Sequence, residues 1–190
     1  MMGWITKARM GGDVERMHTI PTLKKCNVAE HSFNAAILAI EICNKLEMKF
    51  AADAVVSYLL IHDIPEHVTG DIPGNIKKEH EALKRVMTAI EEDWEEENIP
   101  FHYMRWASLT AHQKTVAKAS DVLELMFFCM EEVRRGNNDG RVSTMFYKAK
   151  GFLDEESLYE DMSDRMKADI KKVVDGIAKI LAMQFRRYQR

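Results

Sequence analysis

Four side chains in this sequence combine the chemistry of a metal ligand with a place on or beside an apolar helical stripe: His31, His62, Asp63 and Asp121. Each alone is a weak sign, because a histidine on an apolar face is usually a hydrogen-bonded core residue. The adjacent pair His62-Asp63 is stronger. On a helix the two side chains point about 100° apart, yet a long imidazole and a short carboxylate can converge on one cation lying between them. Burying Asp63 and Asp121 without a counter-charge is costly, so a shared divalent ion, or a salt bridge to a nearby Lys or Arg, must offset it. Two imidazoles with two carboxylates suit a borderline ion such as zinc, cobalt or manganese better than magnesium. Glu66 follows Asp63 by three residues, so a persisting helical turn sets it beside such an ion as a proton-transfer group. Asp71 is a second carboxylate within reach, either for general acid and base work or as a simple turn cap.

The elements that must position these groups read as helices throughout, and the fold class is all-α. Glycines and prolines are few, and the segments between them carry helical periodicity. A helix is expected after Asn27, an N-cap with Glu30 at N3, with Val28, Ala35, Leu38, Ile42 and Leu46 on one face together with His31. A second is expected from Ala51 to Asp63, stopped by Pro65. The stretch Val68-Thr69-Gly70-Asp71-Ile72-Pro73-Gly74 is turn chemistry. A long helix should follow from Ile76 to Glu97, with the acidic run from Glu91 as a solvated face. Another spans Thr115 to Arg135, closes at Gly136 and, being apolar nearly all round at 122–128, should lie at the centre. The remainder, 139–190, reads as two or three amphipathic helices without a catalytic pattern.

A chain of 190 residues with 46% hydrophobic content is expected to form one domain, 1–190, with the motif-bearing core at about 14–138. Its net charge of −3 offers no overall positive field for a nucleic-acid polymer. Cys26, Cys43 and Cys129 have neither disulfide nor zinc-ribbon spacing and read as reduced thiols. Neither a signal segment nor a membrane span is evident, so a soluble, cytoplasmic protein is expected, in a host cytoplasm if phage-encoded.

The stretches Asn27-Val28-Ala29-Glu30-His31-Ser32, Ile61-His62-Asp63-Ile64-Pro65-Glu66, Thr69-Gly70-Asp71-Ile72-Pro73 and Ala119-Ser120-Asp121 resemble, in content, order and spacing, the bacterial 5′-deoxynucleotidases of the HD superfamily. They also resemble the related phage dATP triphosphohydrolases. The resemblance implies an HD-domain helical bundle in which His31, His62, Asp63 and Asp121 hold the metal and Glu66 and Asp71 are the catalytic carboxylates. It matches Arg16 to a phosphate-contacting arginine and Lys77 to a lysine near the site. It also implies a small deoxynucleotide as substrate, and a homo-oligomer is expected. Two departures from the monophosphatase pattern border the expected sugar and base pocket: Met17 replaces a tryptophan, and Gly74-Asn75 replaces a Thr-Pro pair. The string Arg16-Met17-His18-Thr19-Ile20-Pro21 is closer to phage members and favours dATP, with additional magnesium bound alongside a triphosphate. A 5′-deoxynucleotidase acting on monophosphates is the alternative, and a non-catalytic nucleotide sensor is disfavoured by the intact Glu66 and Asp71.

Overall fold

Asn27 opens the first long helix as the sequence indicates: its side chain accepts the Glu30 N–H at 2.8 Å, satisfying a donor left open at a helix start. Glu30 itself pairs with Lys24. In the computed structural model, which describes residues 2–47, 49–99, 101, 104–160 and 162–189, the side chains of Met2, Lys49, Phe50, Ala51, Asn75 and Lys78 excepted, this helix is α2 (Val28–Lys45). It is preceded by α1 (Met2–Arg9) and a 3-10 turn at Met10–Asp13. Val28, Ala35 and Ile42 are fully buried, and His31, on the same face, is 1% exposed.

The expected central helix is α7 (Ala111–Arg134). It starts earlier than its apolar periodicity suggests because Thr110 and Gln113 form a capping box, with the Thr110 N–H donating to Gln113 Oε1 at 2.8 Å. It ends where Gly136 adopts a φ of 97°, a left-handed conformation that glycine takes without a Cβ penalty. Four helices pack around α7: α2, α3 (Lys49–Leu59), α8 (Gly140–Asp154) and α9 (Asp164–Tyr188). Leu123, Met126, Phe146, Leu153, Ile170 and Phe185 fill the core between them.

Two further boundaries differ from the sequence reading. The second helix stops at Leu59, not Asp63, and His62 and Asp63 sit in consecutive turns held by bonds three residues back, such as Ile61 N–H to the Tyr58 carbonyl and Ile64 N–H to the Ile61 carbonyl, both at 3.0 Å. Pro65 prevents a return to the helical ladder until α4 (Glu66–Thr69). The expected helix from Ile76 is two, α5 (Gly74–Glu79) and α6 (Glu81–Asn98), broken at His80, whose φ of −124° and ψ of 81° are non-helical. No proline or glycine announces that break. The acidic run of α6 is also not wholly solvated. Trp94 is buried with Ile61, Ile64 and Ile99 in a second small core. Glu91 and Glu95 are partly covered, and burial lifts Glu95 to a pKa of about 7.

A two-residue antiparallel ladder, β1 (Glu15–Arg16) with β2 (Cys26–Asn27), pairs Arg16 with Cys26. The loop it closes is anchored by Glu132, which is fully buried on α7. Its carboxylate accepts the Leu23 N–H at 2.6 Å, the Lys24 N–H at 2.9 Å and the Asn137 side-chain amide at 2.8 Å. Removing it leaves two backbone N–H groups and the buried Asn137 amide without this acceptor, so Glu132→Ala should lower the free energy of unfolding by about 3 kcal/mol in a urea titration. A loss below about 0.5 kcal/mol, ordinary for surface positions, would show that the loop anchors itself elsewhere.

Candidate active site

The N-terminal segment, α2, the turns after α3, and α7 converge on one acidic cluster. Gly11 lets the first 3-10 turn lie against α2 and the turns: a Cβ there would meet Val28 Cγ1 at 3.3 Å and Ile64 Cγ1 at 3.6 Å. The small core beneath Ile61 and Ile64 then fixes the two residues between them, His62 and Asp63.

Both histidines commit Nδ1 away from the cluster. His31 Nδ1 meets Glu124 Oε2 at 2.5 Å, and His62 Nδ1 meets the Leu59 carbonyl at 2.7 Å. Facing acceptors, each Nδ1 carries its proton, and each Nε2 is aimed inward. His31 Nε2 lies 3.0 Å from Asp121 Oδ1 and 3.5 Å from Asp63 Oδ2. His62 Nε2 lies 3.2 Å from Asp63 Oδ1, yet it is buried and misaligned for a hydrogen bond to any described residue. One ligand atom from each of His31, His62 and Asp63 falls within 4.8 Å of the others. These three therefore fit a divalent transition-metal ion, the orphaned His62 Nε2 being the atom such an ion would satisfy, and Asp121 adjoins the group through His31 Nε2.

The electrostatics agree with that fit. Burial and Arg16 both disfavour a charged His31, but its bonds to Asp121 and Glu124 outweigh them and raise its pKa to about 10. The carboxylates around Nε2 thus call for a positive charge there, a proton or a cation in its place. Burial holds His62 below its ordinary value. Against the cost of burial, His62, Arg16 and His31 keep Asp63 below the usual carboxylate range. Lys118, bonded to Asp121 Oδ2 at 2.9 Å, and His31 do the same for Asp121 more strongly.

Arg16 enters from β1. Its guanidinium Nη1 sits 2.5 Å from Asp63 Oδ2 and 3.6 Å from Glu66 Oε2. Glu66 is 6% exposed, and burial followed by the charge of Asp63 pushes its pKa to about 8, so it is mostly protonated at neutral pH. Lys77 Nζ reaches Glu66 at 3.6 Å and Glu91 at 3.5 Å. Asp71 lies nearby, its carboxylate accepting the Met17 N–H at 3.1 Å. Met17 has a φ of 60°, unusual for a residue with a side chain, and its partly buried side chain rests against the main core.

The structure therefore gathers Arg16, His31, His62, Asp63, Glu66, Lys77 and Asp121 and places Asp71 behind Arg16. Sequence reading missed Glu124 and Lys118. Both have a visible sign: each stands three residues from Asp121 on the same helix, and Glu124 interrupts an apolar run. Tyr58, whose ring lies 5.6 Å from that of His62, had none beyond its helical spacing.

Two solved structures share the fold. One is a cyanophage S-2L HD phosphohydrolase, DatZ, bound to dA and one catalytic Zn2+ ion; it is 17% identical, with a TM-score of 0.67 over 92% of this chain and 96% of that one. The other is an HD-domain phosphohydrolase from Listeria innocua, 17% identical, with a TM-score of 0.68 over 96% and 98%. These likenesses show that the chain has the fold of the HD-domain phosphohydrolases, and its His31, His62 and Asp63 are grouped closely enough to hold a metal ion. Sequence relatives are more specific. The 5′-deoxynucleotidase of Shewanella oneidensis is 29% identical over 140 residues, 66% of this chain and 72% of that protein. The 5′-deoxynucleotidase YfbR of Escherichia coli is 25% identical over 140 residues, 66% and 70%. The profile described as 5′-deoxynucleotidase YfbR-like matches residues 8–161, and the chain belongs to that YfbR-like family. It is an enzyme that hydrolyses a deoxynucleotide phosphoester. Among the described residues no helix is long and apolar enough to cross a membrane.

Proposed function

We propose that this chain cleaves the bond between the α-phosphorus and O5′ of 2′-deoxynucleoside 5′-monophosphates, with His31, His62, Asp63 and Asp121 holding one zinc, cobalt or manganese ion. The observation that carries the reading is the buried, unpartnered Nε2 of His62 facing Asp63 and the Nε2 of His31. When bound, such an ion would acidify water and neutralise charge on the phosphoryl oxygens.

The chain's own groups do the rest. Arg16, held by Asp63 and Glu66, presents a fixed guanidinium to the phosphoryl group and resists reorientation as charge develops there. Protonated Glu66 can give its proton to O5′, which would otherwise leave as a poor alkoxide. Asp71, bonded to the backbone just after Arg16, positions the arginine, and Lys77, set between Glu66 and Glu91, can offset the charge that Glu66 carries once its proton is given. Glu124 orients His31, so Glu124→Gln should weaken metal binding by about 10- to 100-fold in a chelator competition. Unchanged affinity would show that the His31 ring is held by packing alone.

Charge supports the monophosphate. The cations Arg16, Lys77 and Lys118 face the carboxylates of Asp63, Glu66, Asp71, Asp121 and Glu124, so the centre with one dication suits a small anion. The second reading is dATP, cleaved at the same bond to deoxyadenosine and triphosphate, with magnesium alongside. The dA bound in the DatZ structure and the string Arg16 to Pro21 favour it. Incubating the metal-loaded protein with each dNMP and dNTP and identifying the products tests both. Nucleoside plus phosphate supports the first, nucleoside plus intact triphosphate the second, and release of pyrophosphate with dNMP would overturn the assigned bond.

A further inference from the structure

Beside Asp121 a groove of about 380 Å³ runs along the first turns of α7. Its lining includes Lys118, Lys114, Trp106, Phe152, Leu158 and Glu160. It adjoins the metal cluster at two points. Lys118 donates to Asp121 Oδ2 at 2.9 Å, and the ring of Trp106 lies 5.3 Å from that of Tyr58, which in turn lies 5.6 Å from that of His62.

We infer that this groove is a polyphosphate subsite, in which Lys118 and Lys114 receive the phosphoryl groups beyond α when the substrate is a nucleoside triphosphate. The inference rests on the reading of the cluster as the place where the α-phosphoryl group is cleaved. Lys114 stands one helical turn from Lys118 on the same face of α7, about 6 Å along the axis, so a chain of phosphoryl groups leaving Asp121 meets the two ammonium groups in succession.

Lys114 is free to do this. Among the described residues no carboxylate pairs with it; instead its Nζ lies over the face of Trp106, 5.4 Å from the ring centroid. That contact holds the ammonium in the groove while leaving its donors open to an anion. Lys118, though paired, is half-exposed at its side chain, and Asp121 would exchange part of that pairing for a metal ion. Glu160 is the only carboxylate among the described lining residues, and its side chain is exposed, where solvent and salt weaken its repulsion. Lys114 thus adds positive charge beyond that of the catalytic centre, to which Lys118 already belongs through Asp121.

The test is a titration of inorganic triphosphate, and separately of inorganic phosphate, into the metal-loaded protein, read by tryptophan emission and by inhibition of dNMP hydrolysis. Triphosphate drawing Lys114 off the indole should change the emission saturably, and Trp106→Phe should remove that change. Lys114→Ala should weaken triphosphate by about tenfold while weakening phosphate much less. In turnover, kcat/KM should fall about tenfold more for dNTP than for dNMP in the same variant. Equal affinity of parent and Lys114→Ala for triphosphate, or an equal loss for both anions, would overturn the subsite. Failure to hydrolyse any deoxynucleotide would instead overturn the proposed function, while the triphosphate titration would still decide whether the groove binds the anion.

Discussion

Replacing His62 or Asp63 with alanine should remove both the bound metal and hydrolysis, leaving activity at the uncatalysed background. His62 offers a buried Nε2 with no hydrogen-bond partner among the described residues and a neighbouring carboxylate at 3.2 Å, so its loss removes a ligand together with one bond, from Nδ1 to the Leu59 carbonyl. Asp63 is more exacting. It is the common neighbour of Arg16, His31 and His62, and its loss takes a carboxylate from each, leaving Arg16 with Glu66 and His31 with Asp121 and Glu124. The check is metal content by elemental analysis after dialysis, alongside product release from dNMP. Circular dichroism should show that the helices survive, because neither side chain belongs to the core around α7. Full metal occupancy in both variants would show that the ion, and the reaction, lie elsewhere.

Glu66→Gln should separate metal binding from chemistry. The carboxyl group is buried beside Arg16 and Lys77 and is mostly protonated at neutral pH, but it is not needed to complete the ligand set. Glutamine keeps its volume and its place beside Arg16 while removing the transferable proton. Metal content should therefore be retained while kcat falls on the order of a hundredfold or more, with a smaller change in KM. Parental activity in this variant would reduce Glu66 to a buried support for Arg16 and leave Asp71 as the acid.

Much of the site could be read from the chain because its parts obey local rules. His31 falls on the apolar face of a helix whose start is marked by Asn27, and Asp121 directly precedes the apolar stretch 122–128 of α7, so their burial follows from periodicity and capping. The His62-Asp63 pair stands out by type and adjacency, although the helix expected to carry it ends at Leu59. The earlier end of the helix does not separate the pair from the cluster, because the turns at 60–65 are pinned from below by Ile61, Ile64 and Trp94.

By itself, then, the sequence determined the all-α class, the apolar stretch that suits α7 to the centre, the types of the candidate ligands and the proximity of Glu66 to Asp63, all of which depend on residues close together in the chain. Tertiary structure alone decided which nitrogen of His31 faces the centre, since its Nδ1 partner, Glu124, lies 93 residues away. It likewise decided that Arg16 meets Asp63 across 47 residues and that Glu132 anchors the loop behind Arg16 across more than a hundred. Such pairings depend on how helices pack around a common core, and neither spacing nor propensity along the chain carries that information.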